Sequence, residues 1–346
     1  MKRLLALFMI LLMMITMLPG CGVMLNDDEI KVIGVIAKGD DSAFWRAVLI
    51  GAQDAAVENG YAITFRGTEN QSPQEVPVQR DLMQLALDNN VVGLVVATVG
   101  EGFTDLLTTA KERKIPVVQF DSGIWPSDLV ELKKRKKNPV VASVYTKNEE
   151  AGSISAEHLY DYIWRDIAAS QGQYVVGVIQ HDLTQSGTFR SKGFTERFME
   201  LAESNPETRG KCTIHRKVRS ARTNGRYITA LQELHEENVR AVYMTSGDVV
   251  DQVVEEIRKS HGGYDDVVFT GFDAGDRQLN WLRGSETPKF IGSVTQDAYQ
   301  IGYRAVEQCV HALEARGVTA FVEIPAMWYD LSNLEDMIQM NLLEEG

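Results

Sequence analysis

A chain of 346 residues with 44% hydrophobic content is too long for one compact core, so two domains are expected. Acidic residues outnumber basic ones, 48 to 35, giving a formal net charge of −13 that argues against nucleic acid as a partner. Three cysteines without a CxxC pair, and six scattered histidines, exclude a disulfide framework and a metal site of ordinary spacing.

Lys2 and Arg3 precede an apolar run from Leu4 to Leu18. That run suits a signal-peptide core and falls short of the ~20 residues of a spanning helix. "MLPGCG" (17–22) closes it and resembles a bacterial lipobox, with cleavage between Gly20 and Cys21. The resemblance implies a signal peptide over 1–20, a lipidated Cys21 as the first mature residue, and a polar tether over 21–30. Such an anchor would hold the protein on the outer face of the cytoplasmic membrane.

From there strand and helix alternate. "KVIGVIA" (31–37) reads as a strand buried on both faces, followed by a helix from Ala43 to Glu58 that stops at Asn59-Gly60. Strands follow at 61–65, 91–97 and 115–120, with helices over about 73–88 and 103–113. After a less regular insert, 123–140, the scheme resumes with strands at 174–180, 211–218, 239–245, 266–272 and 289–294. Helices near 187–203, 225–237, 248–260 and 274–283 separate them. The pattern predicts two α/β lobes, each a doubly wound parallel sheet, joined by strand-like hinge segments.

Ligands of open parallel sheets lie beyond the carboxyl ends of the strands. The first strand is followed by "KGDDSAFW", which offers Asp41, Ser42, Phe44 and Trp45. The fourth delivers Asp121, and the second lobe delivers Arg190, Asp273 and Gln296 after its own strands. Flat apolar faces with carboxylates, an arginine fork and an amide suit a sugar, whose C–H face stacks while its hydroxyls are hydrogen-bonded. Core packing is the plain alternative for Phe44 and Trp45, and helix capping for Asp121 and Asp273.

Taken together, "IGVIAKGDDSAFWRAVLIGAQDAA", "NEEAGSISAEHL", "FRSKGF", "VVFTGFDAG" and "TQDAYQIGYRAVE" resemble the ribose/galactose-type periplasmic binding proteins, over about Lys31 to Leu334. The resemblance implies the type 1 fold of that family. Its N-terminal lobe would comprise 31–145 plus 296–322, and its C-terminal lobe and hinge return 146–295 plus 323–346. Phe44 and Trp45 would be stacking aromatics, and Asp121, Arg190, Asp273 and Gln296 hydroxyl-binding residues. Cys212 and Cys309 would fall in different lobes as free thiols. The implied role is the substrate-binding subunit of a monosaccharide ABC importer, and the alternative is a receptor subunit presenting a sugar to a membrane sensor kinase. A monomer is expected, without cofactor or metal.

The chain also departs from that family. "SARTNGR" (220–226) supplies Arg222 where an aromatic is usual, Gly247-Asp248 replaces an asparagine-aspartate pair, and the insert places Trp125 at the expected cleft rim. Added positive charge from Arg222 would fit an acidic, phosphorylated or larger glycoside. Catalytic readings fail on the residues themselves. "VVQFDSGI" resembles a subtilase aspartate segment but lacks the histidine and serine segments that chemistry needs, and "GEGFTD" has Asp105 where a dinucleotide loop needs its third glycine.

Overall fold

The computed structural model describes residues 30–69, 71, 73–219, 226–284, 288–340 and 342–343. Cys21, with the expected signal peptide and nearly all of the tether, and Arg222 lie outside them.

Six parallel strands form the first sheet, in the order β11-β5-β4-β3-β1-β2. They are β1 (Val32–Ile36), β2 (Ala62–Arg66), β3 (Gly93–Val96), β4 (Val117–Phe120), β5 (Val140–Thr146) and β11 (Phe321–Ile324). The second sheet runs β12-β10-β9-β8-β6-β7, parallel except for the antiparallel edge strand β12. Its strands are β6 (Tyr174–Gln180), β7 (Cys212–Val218), β8 (Val239–Met244), β9 (Val268–Phe272), β10 (Lys289–Gln296) and β12 (Ala326–Tyr329). Each sheet is sandwiched between helices, so its strands read as continuous β-branched runs. In β1, Ile33 and Val35 enter one apolar cluster and Ile36 the other.

The helices covering the first sheet are α1 (Ala43–Glu58), α2 (Val76–Asp88), α3 (Thr104–Glu112), α4 (Pro126–Lys134) and, from late in the chain, α10 (Ala298–Leu313). The second sheet carries α5 (Asn148–Ala169), α6 (Gln185–Ser204), α7 (Arg226–Glu236), α8 (Gly247–Lys259), α9 (Asp276–Arg283) and α11 (Leu334–Gln339). Two parallel, doubly wound lobes are therefore present. Several elements go beyond the sequence reading: β5, α5, α10, β11, β12 and α11, and a helix inside the insert.

That helix, α4, makes the insert more regular than expected and ends in the lysine-rich stretch 132–138. Pro126 starts it, and its Asp128 is buried. The Asp128 carboxylate accepts from the amides of Gly102 (2.9 Å), Phe103 (3.1 Å) and Thr104 (3.2 Å) and from Thr104 Oγ1 (2.6 Å). An anion thus satisfies the exposed donors at the start of α3 and fastens the insert to the first lobe.

The chain crosses between the lobes three times, each time at a single residue. Lys147 separates β5 from α5, Asp297 separates β10 from α10, and Pro325 separates β11 from β12. The crossings are laced together: Lys147 donates its amide to Ile324 O (2.9 Å), and Thr146 Oγ1 donates to Gln296 Oε1 (2.6 Å).

Within the second lobe the backbones of α5 and α6 approach closely at Gly152 and Gly193. A Cβ on Gly152 would lie 2.1 Å from the Arg190 carbonyl oxygen, and one on Gly193 1.9 Å from that of Glu149. Only glycine permits this approach, and it fixes the backbone that carries Arg190.

Candidate functional site in the inter-lobe cleft

Strand ends of both lobes line one cavity of about 450 Å³. Two of its carboxylates occupy the same backbone device. Asp121 follows β4 with φ 55° and donates its amide to Val144 O (3.0 Å) on β5, while Asp273 follows β9 with φ 64° and donates to Val294 O (2.8 Å) on β10. Aspartate tolerates this left-handed state better than a branched side chain, and the turn aims each carboxylate past its strand.

Arg190, in the second turn of α6, is 4% exposed. Its Nε donates to Asn148 Oδ1 (2.8 Å), Nη1 to Thr245 O (3.0 Å) and Nη2 to Gln296 Oε1 (3.1 Å). Its Cζ sits 3.5 Å from the centre of the Phe272 ring, a cation–π arrangement. Gln296 passes the chain of bonds onward, donating Nε2 to Asp273 Oδ1 (2.6 Å), and Asp273 Oδ2 accepts the amide of Gly247 (3.0 Å) at the start of α8. Arg190, Gln296 and half-buried Asp273 thus form one network whose charged ends are separated by a neutral amide.

The cavity brings together Ser42, Phe44, Trp45, Asp121, Arg190, Asp273 and Gln296 of the residues singled out from sequence. Asp41 is not among them. It stands exposed in the turn before α1, where its carbonyl oxygen takes the Arg46 guanidinium (2.7 Å). Ser42 is the N-cap of α1, accepting from the Trp45 amide (3.3 Å). Trp45, 2% exposed, packs edge-on to Phe44 and Phe120, so half-buried Phe44 is the more open aromatic surface. Trp125 does not reach the cavity lining, since its amide is tied to Thr98 Oγ1 (2.9 Å) where the chain turns into α4.

Lys38 and His181 also line the cavity, and the sequence reading passed over both. Lys38 follows β1, donating to Ser122 Oγ (3.1 Å) with Asp121 Oδ2 3.9 Å away. His181 follows β6, its Nδ1 2.8 Å from Thr245 Oγ1 and its Nε2 3.4 Å from Asp182 Oδ1. Burial, the largest influence, pulls the imidazole below its ordinary value. Burial pushes the Asp182 carboxyl the other way, but His181, Lys38 and the Thr184 hydrogen bonds outweigh it and hold the group ionised. Ser186 Oγ lies 3.5 Å from the same Nε2 that faces Asp182. Serine and carboxylate therefore compete for one nitrogen, unlike a triad that uses both ring nitrogens. The signal that could have found Lys38 and His181 is position alone, one or two residues past a buried strand.

Two doubly wound lobes, three crossings and a polar cavity at the facing strand ends define a two-lobed cleft protein of the α/β class. The chain belongs to the periplasmic binding proteins: the family described as "Periplasmic binding protein domain" matches residues 33–317. An ABC transporter, LacI family transcriptional regulator from Brachyspira murdochii is similar at 30% identity, over 91% of this chain and 99% of that one, with TM-score 0.80. A carbohydrate transporter solute binding protein from Agrobacterium radiobacter in complex with D-arabinose is 19% identical, over 92% and 100% of the two chains, with TM-score 0.72. An ABC transporter solute binding protein from Agrobacterium vitis with bound D-fucose is 20% identical, over 90% and 100%, with TM-score 0.70. The last two speak to the fold. No curated protein matched the sequence.

Proposed function

We propose that the protein is an extracytoplasmic solute-binding lipoprotein that captures a sugar or sugar derivative between its lobes and delivers it to an ABC importer. The observation that carries this reading is the Arg190–Gln296–Asp273 network, which presents donors and acceptors to the cleft beside the Phe44 ring. The two structurally similar proteins named above hold D-arabinose and D-fucose. Charge refines the ligand class. Among the described residues, Lys38, Arg46, Arg190 and Arg277 line the cavity against Asp121, Asp248, Asp251, Asp273 and Asp276. Such near-balance suits a neutral polyol; Arg222, which would favour an acidic or phosphorylated ligand, lies outside the described residues.

The working cycle is a hinged clamp. Ligand favours closure only by the difference in its affinity for the closed and open forms. A dissociation constant near micromolar corresponds to about 8 kcal/mol. Misplaced hydroxyls are rejected because they leave buried polar groups unpaired. The division into lobes expected at 145/146, 295/296 and 322/323 belongs to the same proposal, with its boundaries moved to the crossings at Lys147, Asp297 and Pro325, as does lipidation of Cys21.

Thermal-shift titration of soluble protein against monosaccharides, sugar phosphates and glycosides tests it, since Tm rises with the concentration of a true ligand. A flat response across the panel rejects sugar capture. Sugar uptake that survives deletion of the gene rejects delivery to an importer, and a Cys21→Ala protein that stays on membranes rejects the anchor.

A further inference from the structure

Asn148 is the first residue of α5, 4% exposed, immediately after the first crossing, and its Oδ1 holds Arg190 Nε at 2.8 Å. Two influences at this position favour a carboxylate over an amide. The start of a helix attracts negative charge, and α5 already takes Glu149 and Glu150 in its first turn. A buried guanidinium is also better matched by an anion than by a neutral oxygen, and aspartate has nearly the shape of asparagine. Yet among the described residues all three acceptors of Arg190 are neutral: an amide at 148, a backbone carbonyl at 245 and an amide at 296.

We propose that Asn148 is a positioning residue of the cleft. Its neutral oxygen orients the Arg190 guanidinium through Nε and leaves the positive charge for the bound molecule, at the expense of folding stability. The placement reaches the hinge as well. Arg190 grips Asn148 just after the first crossing and Gln296 just before the second, and Gln296 in turn accepts from Thr146 on the near side of the first. A molecule that engages the remaining N–H groups of Arg190 therefore acts on a group already tied to two of the three crossings. The binding half of this proposal rests on the sugar-capture reading; the electrostatic half does not.

Asn148→Asp tests it in a cycle with Arg190→Met. In ligand-free protein at neutral pH, Asn148→Asp raises Tm by a few degrees when Arg190 is present and lowers it in the Arg190→Met background, where the new carboxylate has no cation to face. Calorimetric titration with D-arabinose and D-fucose reads the other half, and Asn148→Asp weakens whichever binds by tenfold or more while the protein becomes more stable. A purely structural role moves stability and affinity in the same direction. Additive Tm changes around the cycle overturn the proposal, as does sugar affinity within threefold of wild type. Should wild-type protein bind neither sugar, these two sugars fail as its cargo, and the ligand-free cycle still decides whether Asn148 preserves the charge of Arg190.

Discussion

Arg190→Met keeps much of the length of the side chain and removes the guanidinium. Of the five N–H groups of arginine, three are taken by Asn148, Thr245 and Gln296. One donor on each terminal nitrogen is left for ligand oxygens. Hydrogen bonds to a charged group contribute about 1.5–3 kcal/mol each. Losing both therefore weakens binding by roughly 3–6 kcal/mol, or about two to four decades in Kd. Stability moves less. Three acceptors lose their donor at about 1–3 kcal/mol apiece, and removing a buried charge offsets several kcal/mol of that loss. A net fall of about 2 kcal/mol, seen as a few degrees in Tm, is the expected result. Calorimetry with the sugar found by thermal shift, run beside a melting curve, measures both quantities. Binding within threefold of wild type in a cooperatively melting variant would refute the placement of the site.

Asp128→Ala removes four hydrogen bonds from the start of α3 and should lower stability by about 2–4 kcal/mol. Sugar affinity should not change, since Asp128 does not line the cleft; a shift beyond threefold would show that the insert acts on the site. Cys212 and Cys309 are buried free thiols, pushed up by burial to about 11 and about 12. Soluble protein lacking residues 1–26 should react with a thiol reagent at pH 8 only after unfolding, and should then titrate two thiols. Burial holds His181 below the ordinary value of 6.5, so the unfolded chain takes up protons more readily than the folded one. Stability is complete above about pH 6.5 and falls as pH drops below it. Tm should therefore decrease from pH 7.5 to pH 5.5, and His181→Gln should shrink the decrease; a melt indifferent to pH contradicts the burial of the His181 ring.

What was legible in the sequence was what is local. β1, β3 and β6 announce themselves as unbroken apolar runs because both faces of each are covered, and Asn59-Gly60 marks the end of α1 in the right place. Asp121 and Asp273 could be found because each is the first polar residue past a buried strand. The elements flanking the crossings were not legible in this way. β11 and β12 are short and owe their pairing to strands far away in sequence. Asp41 and Ser42 are neighbours with equal claims to a cleft, and only the geometry of the α1 cap sends one in and leaves the other in solvent. Trp45 carries the apolar face expected of it but spends it on the core of the first lobe.

The short ribbon from Phe321 to Tyr329 seals the outer edge of both sheets, one on each side of Pro325. A chain emerging from the ribosome therefore keeps two raw edges until its tail arrives, however much of each half has already assembled. Protease nicking within that ribbon would unzip both halves together, and the two halves share a single fate although each has its own interior.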